Sequence, residues 1–159
     1  MKTLIILISL LLVLTVSNIT KADGFLLTIS YTSGEHSKDS RSSVTSISIA
    51  GNDAAYSVKN SGFHSEPDKN KTCTLTDDQL SKIQGWITEL GLEKNDSLID
   101  ESTKYKSYEV FANISILIKN QETPYKIKIN GDVENLKDSP LYKNALSFIS
   151  RVTGILDKC

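Results

Sequence analysis

The stretch that decides the fold is Tyr108 to Ile129, YEVFANISILIKNQETPYKIKI. In its first part Val110, Ala112, Ile114, Ile116 and Ile118 occupy alternate positions, the period-two pattern of a strand with one buried face. Asn120 to Thr123 carry turn chemistry, after which Tyr125, Ile127 and Ile129 alternate with Lys126 and Lys128. Strands joined by so short a connection run antiparallel, and the lysines mark a solvated face. The stretch reads as a half-buried hairpin.

Helical patterns flank it on both sides. Downstream, Ser139-Pro140 sets an N-cap residue before a proline at the first helical position. Leu141, Ala145, Leu146, Phe148, Ile149 and Val152 follow at helical spacing, and Gly154 is placed to stop the helix near 153. Upstream, Thr76 and Gln79 form a capping-box pattern, Leu75 and Leu80 stand at staple positions, and Asp77 and Asp78 suit the positive helix end. Leu80, Ile83, Ile87 and Leu90 make the apolar stripe of a helix over 76–90, with Gly91 as its C′ residue. Gly85 inside this helix costs about 1 kcal/mol relative to alanine, which implies a close neighbour there.

The N-terminal half adds three strands. Phe25, Leu27, Ile29 and Tyr31 alternate with polar or outward residues, and Val44–Ile49 and Ala54–Val58 flank the turn residues Gly51-Asn52-Asp53. Polar segments 32–42, 59–71 and 93–106 read as loops, the last with a solvated acidic group of Asp96, Asp100 and Glu101. The order predicts one globular α+β domain over 23–159, an antiparallel sheet of about five strands with two helices packed on one face. Leu27, Ile29, Ile47, Ile49, Leu80, Ile83, Ile87, Ile114, Ile116, Ile127, Ile129 and Ile149 are its expected core.

Residues 1–22 read as a secretory signal peptide. Lys2 precedes an apolar run from Leu4 to Val16, and Thr20-Lys21-Ala22 offers small residues at the cleavage positions. As a helix that run reaches about 20 Å, short of the roughly 30 Å needed to span a bilayer. Cleavage after Ala22 predicts a secreted or periplasmic protein beginning at Asp23, with no stable membrane insertion. The only cysteines, Cys73 and Cys159, form one disulfide on this reading, since an oxidising compartment favours pairing. The rival is a reactive Cys73 with His64 as base, for which no third orienting group is in view.

Removing Lys2 and Lys21 leaves 16 basic against 19 acidic groups, a net charge of −3. Only Arg41 and Arg151 are arginines, so the chain has neither a basic footprint nor the bidentate donors of a nucleic-acid binder. No nucleic-acid partner is expected. The sequence lacks G-x-S-x-G, H-E-x-x-H, a phosphate-binding glycine loop and a C-x-x-C pair. No catalytic set, metal site or cofactor is therefore assigned. His64 with Glu66 or Asp68 is the one acid–base grouping, and it defines the alternative of a small hydrolase. Phe63, His64 and Trp86 are the candidate binding residues, as aromatic groups in or beside polar segments.

The order of elements from Leu75 onward resembles that of emfourins, small bacterial inhibitors of thermolysin-type metalloproteases. The matching features are Leu-Thr-Asp-Asp-Gln-Leu at 75–80, Gly91-Leu92, the 108–129 hairpin and the helix ending near Leu156. The resemblance covers about half the chain and implies a sheet-plus-helix scaffold and an inhibitor role, with no functional residue carried over. The expectation is an exported, non-catalytic domain that binds a macromolecule, most simply a protein, with protease inhibition as one form. An envelope structural protein, marked by stable self-association, is the third reading.

Overall fold

Ile29 lies between Ile47 and Ile114 on neighbouring strands, and that register fixes which sheet face is buried. The computed structural model describes residues 24–35, 41–62, 65–100, 108–118 and 121–159. Residues 1–22, read above as a signal peptide, and the candidate binding residues Phe63 and His64 lie outside the described residues. In chain order the elements are β1 (Leu26–Glu35), β2 (Ser42–Ala50), β3 (Asp53–Ser61), β4 (Lys69–Thr74), α1 (Asp77–Glu89), β5 (Asp96–Ile99), β6 (Tyr108–Leu117), β7 (Tyr125–Asp132), α2 (Val133–Leu136) and α3 (Pro140–Leu156). The seven strands among the described residues form one sheet in the order β4-β3-β2-β1-β6-β7-β5. Every pairing is antiparallel except β5 with β7, which is parallel.

The architecture is α+β, as the hydrophobic pattern predicts, but two details are corrected. The sheet has seven strands and is mixed, not five and antiparallel, and a short third helix, α2, precedes α3. The extra strands come from segments read as loops. β4 and β5 are the edges of the sheet, pair on one side only and bury little, so neither needs an apolar alternation. β1 and β2 also run further than their apolar residues reach, with Thr32 opposite Val44 and Ser33 opposite Ser43.

One face of the sheet carries the core. All twelve expected core residues except Leu80 are buried, and Leu80 is half-buried and packed against the others. The helix start at Thr76 is as predicted: Thr76 Oγ1 accepts from the Gln79 amide at 3.2 Å, and Gln79 Oε1 accepts from the Thr76 amide at 2.9 Å. Gly91 turns the chain at φ 62°, where glycine avoids a Cβ clash. Gly85 is a correction, since a Cβ built there meets nothing within 4 Å. So is Gly154, which lies inside α3 because that helix continues to Leu156.

The two long helices lock to each other and to the edge of the sheet. Asn144 Nδ2 donates to the Leu90 carbonyl at 2.9 Å, satisfying an oxygen at the end of α1. Arg151 on α3 donates to both Glu89 oxygens at 2.9 and 3.0 Å. Past the end of α3, Cys159 is disulfide-bonded to Cys73 on β4, with Cα atoms 6.0 Å apart. Lys71 Nζ on the same strand donates to the Asp157 carbonyl at 2.6 Å. Such a bond matches an oxidising location. No helix among the described residues is long and apolar enough to cross a membrane.

Candidate functional site

Strand directions place the β2–β3 turn and the β6–β7 connection at one end of the sheet and the β1–β2, β3–β4 and β5–β6 connections at the other. β1 ends, β2 begins, β3 ends, β4 begins, β5 and β7 end, and β6 begins on the same edge. This loop-bearing edge is built by polar backbone capture. Asp132, 5% exposed, accepts from the Glu134 amide at 2.9 Å through Oδ1 and from the Tyr108 amide at 3.3 Å through Oδ2. It thereby caps α2 and anchors the start of β6. Asp100 secures the end of β5: its amide donates to the Asn130 carbonyl at 2.8 Å, and its Oδ2 accepts from Asn135 Nδ2 at 2.9 Å. A Cβ at Gly131, φ 155°, would sit 2.4 Å from the Asp100 Cβ, so glycine lets β5 and β7 approach here.

Three large hydrophobic side chains are exposed among the described residues: Ile99 at 54%, Phe111 at 42% and Tyr108 at 38%. All three belong to this edge. Ile99 and Phe111 both pair with Asn130, which sets them on either side of that residue on the sheet face away from the helices. Tyr108 opens β6 and pairs with Glu35, the last residue of β1. It is in phase with Val110 and Ala112, so it lies on the helix-covered face, opposite that of Phe111. On that helix-covered face Tyr31 and Tyr142 lie close enough for their phenols to interact with it. Burial raises the pKa of both phenols, and the neighbouring tyrosines push Tyr142 further the same way. These rings are neutral packing groups, not bases.

Beside Tyr108 is a hollow of about 260 Å³ whose lining includes Glu35, Arg41, Ser42, Ser65 and Glu66. It is open to solvent and lined by polar residues, unlike the enclosed apolar pocket usual for a small substrate. The sequence-predicted groups among the described residues are dispersed. Asp68 Oδ1 accepts from the Asn60 amide at 2.8 Å and closes the β3–β4 connection, while Glu66 lines the hollow. Trp86 is half-buried against the core on α1, with the Arg151 guanidinium 5.6 Å from its ring centroid. Among the described residues no three His, Cys, Asp or Glu side chains converge as metal ligands.

Sequence reasoning missed Ile99 and Phe111. Phe111 falls out of phase with the apolar alternation of β6, and that phase was the available signal for an outward-facing aromatic. Ile99 sits in a segment read as loop, so no phase applied to it. No protein-family model and no curated protein sequence matches the chain.

Proposed function

We propose that this is an exported, non-catalytic domain that binds a protein partner at the β5–β7–β6 corner. The observation that supports it most is the confinement of Ile99, Tyr108 and Phe111 to one loop-bearing edge. Aromatic and large aliphatic groups rimmed by polar side chains are the usual centre of such an interface, and connections on a rigid sheet commonly carry binding function. Protease inhibition, implied by the resemblance to emfourins, is one form of that binding. The disulfide supports export, and intact mass of exported material is expected to correspond to a chain beginning at Asp23. A retained 1–22 segment would contradict that.

The test is affinity capture from the native exterior with wild-type protein and with the Ile99→Ser/Phe111→Ser double variant. Wild type is expected to retain a defined partner that the variant loses while melting at a similar temperature. Equal retention by both proteins would overturn the assignment. Hydrolysis of a substrate, lost on His64→Ala, would establish the small-hydrolase alternative instead.

A further inference from the structure

On the sheet face away from the helices, strand register aligns short polar side chains across successive strands. One row runs Ser46, Ser30, Asn113 and Lys128 over β2, β1, β6 and β7. The adjacent row runs Ser48, Thr28, Ser115 and Lys126 over the same strands. Their β1–β6–β7 part lines a hollow of about 190 Å³ without a carboxylate. Lys126 and Lys128, both exposed, make no ion pair among the described residues. The surface is thus a platform of hydroxyl and amide groups with uncompensated positive charge along one side.

We propose that this platform binds an acidic polysaccharide, a polyhydroxylated chain bearing carboxylates. The two ammonium groups complement carboxylates as point charges, and the hydroxyls and the Asn113 amide both donate and accept hydrogen bonds to sugar hydroxyls. Strand spacing of about 4.8 Å presents that chemistry again at each strand crossed. The short side chains let an extended chain lie close to the sheet. A protein partner suits these rows poorly, because serine and lysine are depleted at protein interfaces and no aromatic anchor lies in them. Single-stranded nucleic acid requires stacking rings that the rows also lack. The rows adjoin the corner on the same face, since Asn113 and Lys128 each lie two residues along their strands from the Phe111–Asn130 pair.

The experiment is affinity electrophoresis of the full exported protein through gels containing polygalacturonate, with neutral dextran gels alongside. Wild type is expected to be retarded by polygalacturonate and not by dextran. Lys126→Gln/Lys128→Gln and Ser30→Glu are each expected to weaken retardation about tenfold while melting as wild type does. Lys82→Gln/Lys158→Gln, which removes two exposed lysines elsewhere, is expected to leave retardation unchanged. Absence of wild-type retardation, equal retardation by dextran, undiminished binding by the Lys126/Lys128 variant, or an equal loss in the Lys82/Lys158 variant would overturn the proposal.

Discussion

Cys73, on an edge strand, is covalently joined to Cys159, which follows the last helix, across a sequence separation of 86 residues. The bond lies toward the end of β4 that leads into α1, whereas the Ile99–Phe111 corner occupies the opposite edge strand's end of the sheet. The covalent tether and the corner proposed for recognition therefore lie in separate parts of the fold.

Cys159→Ser is expected to lower stability by up to about 4–5 kcal/mol, the chain-entropy value for a loop of this length. The residues after α3 and strand β4 lose their covalent link and keep the Lys71–Asp157 hydrogen bond, while the corner keeps its Asp132 and Asp100 anchors. Thermal melts together with partner binding check this: a lower melting temperature with retained binding is the expected result.

Gly85→Ala is expected to stabilise the protein by about 1 kcal/mol. The position is exposed, helical and open to a Cβ, so the alanine restricts the unfolded chain without meeting a neighbour. Urea denaturation of the two proteins measures the difference, which would be reversed in sign by a hidden close contact.

Tyr142 gives stability a pH dependence at the alkaline end. Its pKa is raised above the ordinary 10.0 by burial first and by Tyr31 and Tyr108 second, so the folded chain holds that proton longer than the unfolded chain. The contribution is fully present below pH 10 and declines above it, as the unfolded chain ionises first. Tyr142→Phe is expected to show a smaller loss of melting temperature than wild type above pH 10, with no such difference in slope near neutrality.

The buried half of the fold was legible because burial writes a period into sequence. Ile114, Ile116, Ile127 and Ile129 announce the hairpin, and Thr76 with Gln79 announces a helix start, because each pattern has a direct physical cause. β4 and β5 left no such period: they bury little, and the backbone pairing that makes them strands is indifferent to side chain. The parallel β5–β7 pairing depends on where α1 delivers the chain, a tertiary fact. The corner was legible only in part. Tyr108 opens the stretch whose pattern is plain in the sequence, but Phe111 gains meaning once its outward phase is joined to Ile99 through Asn130, and that union exists only in the assembled sheet.

The most direct test of the central claim is hydrogen exchange of the protein with and without its captured partner. New protection is expected for amides in 97–100, 108–112 and 129–132, with α1 and α3 unchanged. Protection confined to those helices, or to the β3–β4 side of the sheet, would contradict it.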